Sequence, residues 1–151
     1  MVWKFLLSAP LVLAVSAVPP APTSGPPPIK LGLWETTMSG GMMGANSFKA
    51  RVCVTADSYQ NAFARMPPGC TVSNQTRTAT HASADIACTM NNAQSSGHFE
   101  VDFPDPETSH STVTLNMTVQ GQTMPMTIKT DGKFISSDCG SVVPGKPQII
   151  H

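Results

Sequence analysis

Charge is scarce in this chain. Asp, Glu, Lys and Arg make up 12% of its 151 residues, and no run of like charge occurs. That leaves no support for nucleic acid or an anionic membrane as partner, since both are held by clustered Lys and Arg. Recognisable catalytic motifs are missing as well. There is no CxxC, no HExxH, no GxSxG and no glycine-rich phosphate loop ahead of a helix. A redox thiol pair, a metalloprotease helix, a nucleophile elbow and a phosphate cradle are therefore not indicated. An apolar run of the roughly 20 residues needed to cross a bilayer is also absent.

The shorter run at the start has a different meaning. Lys4 gives one positive charge, Phe5 to Ala17 (FLLSAPLVLAVSA) is apolar apart from its serines, and the run ends in the small residues Val15-Ser16-Ala17. This is the layout of a secretory signal peptide over 1–17, cleaved after Ala17. No cysteine follows the run, so lipid is not attached there. The expectation is a soluble periplasmic or secreted protein with no membrane span once the leader is removed. The mature chain would hold about 134 residues, one domain's worth, and a formal charge of −1 once Lys4 is gone.

Val18 to Pro28 (VPPAPTSGPPP) is too proline-rich for helix or sheet and reads as a linker over 18–28. One β-rich domain is expected over 29–140, then a flexible tail over 141–151 containing Pro144 and Pro147.

Within the domain the dominant signal is period-two alternation. Phe48, Ala50, Val52 and Val54 alternate with charged or polar neighbours, as do Phe99, Val101 and Phe103, and Val113, Leu115, Met117 and Val119. Such strands bury one face and wet the other, the habit of an antiparallel sheet covered on one side. Ala84 to Met90, Met124 to Ile128 and Ile29 to Met38 add further strands, and Thr71 to Ala79 a more polar one. Asp131-Gly132 is the strongest two-residue hairpin signal, and Gln120-Gly121-Gln122 a further turn. Tyr59, Ala62, Phe63 and Met66 instead fall on one helical face, with Thr55 or Asp57 as cap and Pro67-Pro68-Gly69 as stop. The expected fold is α+β and mainly β. A curved antiparallel meander of about seven or eight strands carries one short helix on its apolar face.

In an oxidising compartment Cys53, Cys70, Cys88 and Cys139 should form two disulfides. Four cysteines admit three pairings, which sequence alone leaves open. The flanking positions of Cys53 and Cys70 around the helix favour Cys53–Cys70 with Cys88–Cys139.

These features together resemble a known family. Gly32 to Glu35 (GLWE), the turn Ser39 to Gly44 (SGGMMG), Cys53-Val54-Thr55, the short helix, the next two cysteines and the closing Asp138-Cys139 are similar, in order and spacing, to bacterial domain-of-unknown-function family 3617. The resemblance implies a small exported domain with this cysteine layout. It carries over no catalytic residue and no cofactor.

Candidate functional residues follow from composition and phase. An apolar small molecule is the ligand class that a half-open sheet suits, with Phe99, Met117 and Met126 as contacts; the alternative for the same residues is a closed, dry core. Trp34 is out of phase with Leu31 and Leu33, which puts it on the nominally polar face; there the twist of the sheet or the linker buries it, or it serves as a stacking residue or a contact for an envelope protein. Soft thioethers at Met42, Met43, Met124 and Met126, near Met38 and with His81, His98 or His110, could select Cu(I). However, Met124 and Met126 share the apolar phase of their strand, where methionine is ordinary filler. A binding role without catalysis and without a resident metal is the expectation.

Overall fold

The computed structural model describes residues 28–41, 44, 46–62, 66–90 and 93–150. The signal-peptide expectation, most of the linker, Met42, Met43 and Phe63 lie outside the described residues. Eight strands form one antiparallel sheet: β1 Gly32–Gly40, β2 Ser47–Val54, β3 Cys70–Arg77, β4 His81–Met90, β5 Ala93–Asp105, β6 Thr108–Val119, β7 Gln122–Ser136 and β8 Gln148–Ile150. Among the described residues one short helix, α1 Ala56–Gln60, lies between β2 and β3. The spatial order is β3-β4-β5-β6-β7-β1-β2-β8, so the chain from Cys70 to Ser136 is a meander, as its short turns require.

Alternation divides this sheet into two chemically distinct faces. Directly opposed residues in antiparallel strands point to the same side. Val52 opposes Trp34, which opposes Phe134; Ala82 opposes Val101; Phe99 opposes both Ala84 and Val113; Leu115 opposes Met126. The other side carries Glu35, Lys49, Arg51, Lys133, Asp131, His110, Asp102 and His81.

The sheet is open, and it must also be strongly curved. Strands sit about 4.8 Å apart, so β4 and β2, five places apart, would stand roughly 24 Å apart in a flat sheet. Val52 of β2 and Ala82 of β4 nevertheless line one cavity, so the apolar face is the concave one. The core is thin: Ala82, Val101 and Phe103 form its buried cluster, with Ile29, Tyr59 and Phe99 packed against it.

Four expectations need correction. The disulfides are Cys53–Cys139 and Cys70–Cys88. Cys53 and Cys70 cannot meet because α1 carries the chain from one side of the sheet to the opposite edge strand. Cys53 also points to the polar face, opposite Leu33, whereas Cys70 sits on the apolar face directly opposite Cys88. Cys139, just beyond β7, lies beside the end of β2, with a Cα–Cα distance of 5.4 Å to Cys53.

Asp131-Gly132 is not a turn but lies inside the 15-residue β7. Gly132 is there for room: a Cβ would lie 2.4 Å from Ser109 Oγ and 3.4 Å from the Trp34 ring. The β6–β7 turn falls at Gln120-Gly121, both with positive φ, the signature of a tight hairpin turn.

Trp34, 3% exposed, belongs to the apolar face, and the phase of β1 is set by Trp34, Thr36 and Met38. Leu31, taken as an inward residue, is 40% exposed.

The segment 141–150, expected as a loose tail, is held in place. Val142 is buried, and β8 pairs with Lys49 to Arg51 of β2.

Peptide mapping of the unreduced protein is expected to recover Cys53 linked to Cys139 and Cys70 linked to Cys88; either other pairing would refute the topology. In urea unfolding, replacing both members of a bridge by Ser should remove roughly 3 kcal/mol for Cys70–Cys88 and about 4–5 kcal/mol for Cys53–Cys139, whose loop is far longer.

Candidate functional site

α1 is too short to be stable alone in water, so its ends are fixed locally. Thr55 Oγ1 accepts from Ser58 N–H at 3.1 Å, and Ser58 Oγ accepts from Thr55 N–H at 2.8 Å, a reciprocal capping box. The helix stops at Asn61, whose N–H donates to Asp57 O at 2.9 Å. It is shorter than the apolar periodicity through Met66 predicts, and Met66 follows it in irregular structure.

This turn of helix points Tyr59 into the concave face. Its ring lies 6.3 Å from that of Phe103, and the Arg77 guanidinium sits over the Tyr59 ring, Cζ 4.9 Å from the centroid. Between α1 and the sheet lies a cavity of about 480 Å³, lined almost wholly by apolar side chains including Val52, Ile86, Phe99, Val101 and Met66. One polar group there is unsatisfied: the Tyr59 hydroxyl is buried and has no hydrogen-bond partner. Burial raises the Tyr59 pKa above the ordinary phenol value, with Arg77 opposing the shift, so the hydroxyl stays neutral near pH 7.

Phe99 lines the cavity. Met126 and Met117 do not line it; they lie on the same face one and two rows further along, where Met126 opposes Leu115 and Met117 opposes Met124. Met124, and Met90 and Val119 in the next row, are exposed, 51%, 50% and 36% respectively, so the apolar face extends well past the part that α1 covers. Trp34 is closed off from partners. It packs edge-on against Phe134 at 6.0 Å and donates its Nε1–H to Lys30 O at 2.9 Å. The thioethers of Met124 and Met126 lie on the opposite face from His81, His98 and His110, so the described copper candidates do not converge.

The histidines instead pair across strands with aspartates on the polar face. Nδ1 of His81 is 2.8 Å from Asp102 Oδ1, His98 is 2.7 Å from Asp85 Oδ1, and His110 is 2.6 Å from Asp131 Oδ1. His81, Asp102, His110 and Asp131 form a single cross-strand row over β4 to β7. Asn74 and then His98 hold the Asp85 carboxyl below the usual range. No group of three His, Cys, Asp or Glu residues suited to a metal ion occurs among the described residues. Nor is any described helix long and apolar enough to cross a membrane.

Sequence reasoning missed Arg77. Strict alternation from Cys70 would send its side chain to the polar face. A register shift between Ser73 and Thr76, where Asn74 adopts φ 49°, reverses the phase and brings Arg77 opposite Ala82. Arg77 is thereby the only charged side chain on the apolar face among the described strand residues. A helical tyrosine followed by a basic residue in an edge strand gave no pattern from which to read this.

A family model described as a protein of unknown function (DUF3617) matches residues 27–139. The chain belongs to the DUF3617 family. No curated protein and no solved structure matches it. The DUF3617 region contains both disulfides, α1 and β1 to β7, whereas β8 lies beyond it.

The same fold makes an acid-sensitive turn. Asp105 is held below the ordinary carboxyl pKa, first by the Thr108 hydroxyl at 2.7 Å and then by the Glu107 N–H at 2.7 Å. A depressed folded-state pKa stabilises above the unfolded value of about 3.9 and is lost as pH falls through the lower folded value. Asp105→Ala is expected to lower the urea midpoint at pH 7, and its deficit relative to the parent should vanish by pH 2. A deficit independent of pH would refute the assignment.

Proposed function

We propose that this DUF3617 domain is an exported binding protein that holds an apolar small molecule between α1 and the concave face of its sheet. The observation that carries the reading is the cavity. At about 480 Å³ it lies within the range of small-molecule pockets, and it is apolar on nearly every side. A closed, dry core would fill that space with side chains at near-crystalline density. Here no large side chain is less than 2% exposed among the described residues. Export is supported by the leader-like start and by two disulfides, which persist in oxidising compartments. A role without catalysis is supported by the location of the imidazoles: the three His–Asp pairs occupy the opposite face from the cavity.

The test is occlusion. Ile86 lines the cavity and is not part of the buried cluster, so Ile86→Trp should fill the space without unfolding the sheet. Titration with the fluorescent apolar probe N-phenyl-1-naphthylamine is expected to give saturable binding to the parent protein. The variant should bind about tenfold more weakly or worse, a change of roughly 1.4 kcal/mol, with an unchanged circular dichroism spectrum. Equal binding by the folded variant would remove the cavity as the site.

A further inference from the structure

Arg77 is out of place by the rules that govern the rest of the sheet. Every other described strand position on the apolar face is uncharged. A guanidinium drawn out of water is expensive unless an anion and hydrogen-bond acceptors meet it. Yet Arg77 is partly buried, lines the cavity and makes no salt bridge among the described residues. The carboxylates nearest in register, Asp85 and Asp102, point to the other face and are engaged by His98 and His81. What Arg77 does contact is the Tyr59 ring, and the hydroxyl of that ring is the buried donor left without a partner. A cation without a salt-bridge partner and a buried hydroxyl without a hydrogen-bond partner thus stand side by side on an otherwise apolar cavity.

We propose that the ligand is an anionic amphiphile: its hydrocarbon part lies along Ile86, Phe99 and Val101, and its oxyanion head group pairs with Arg77 and accepts a hydrogen bond from Tyr59. This rests on the reading of the cavity as a binding site and adds the chemistry of the ligand's polar end. The planar fork of a guanidinium matches a carboxylate or a phosphate with two parallel hydrogen bonds, which a lone hydroxyl cannot offer in return. Because burial keeps Tyr59 protonated, it remains a donor to an anion at neutral pH. The head group would also give the buried Tyr59 hydroxyl the acceptor it lacks, which a ligand without an oxyanion supplies less well.

Isothermal titration of the full domain with dodecanoate, dodecyl phosphate and dodecanol, each below its aggregation threshold, tests this. The parent protein is expected to bind one or both anions at least about tenfold more tightly than dodecanol, and the stronger of the two identifies the head group as carboxylate or phosphate. Arg77→Met should abolish that preference while leaving dodecanol affinity within about twofold, and Arg77→Lys should restore part of it. Tyr59→Phe should weaken the preference and leave thermal stability unchanged or higher, since it deletes an unpaired buried hydroxyl. Equal affinity of the parent for dodecanol and both anions would overturn the head-group assignment and leave the cavity standing. Failure of all three ligands to bind would overturn both readings.

Discussion

Among the described residues, one sheet with almost nothing to cover it is the constraint from which the other features follow. Eight alternating strands present a continuous apolar face, and one described helix of five residues, Ala56–Gln60, lies over it. A helix that short cannot bury a sheet of that width, so the sheet bends around it and brings β2 and β4 to opposite sides of one space. What remains is a trough with a thin buried cluster at one end and exposed methionines at the other. Stability in such an arrangement cannot come from a deep core, and the two disulfides add to it by restricting the unfolded chain.

The strands were legible because their alternation is local and uninterrupted. The run from Phe99 to Phe103 and that from Val113 to Val119 needed no tertiary information. Legibility ended wherever a residue's role depended on something distant. Which cysteines meet is decided by the route of α1 across the sheet, a property of neither flanking strand. Asp131-Gly132 has turn chemistry, but the need for empty space beneath Trp34 overrides it. Trp34 itself was misassigned because Leu31 and Leu33 suggested the opposite phase. Of the candidate site, Phe99 and the neighbouring Met117 and Met126 were readable from alternation. Arg77 was not, because a register irregularity two residues upstream reverses the side to which it points.

The two faces stabilise the sheet by unlike means. On the concave side, contacts between apolar side chains across strands act without direction. On the convex side, imidazole–carboxylate pairs join neighbouring strands at fixed registers, with His81–Asp102 and His110–Asp131 aligned in one row. Each such exposed pair contributes little by itself. Because a slip of one residue would move every member to the wrong face, they help to specify which strand positions align.

The nesting of Cys70–Cys88 inside Cys53–Cys139 bears on how the molecule is made. Synthesis presents Cys53 first and Cys70 second, and these two thiols belong to different partners. Oxidation in order of appearance would therefore weld together two cysteines that the finished sheet keeps on opposite faces. Correct maturation needs either thiols kept reduced until the last of them has emerged or an exchange catalyst that undoes the premature bond. A chain cut short before position 139 leaves Cys53 with no legitimate mate, which makes an intact C-terminal end a condition of orderly biogenesis.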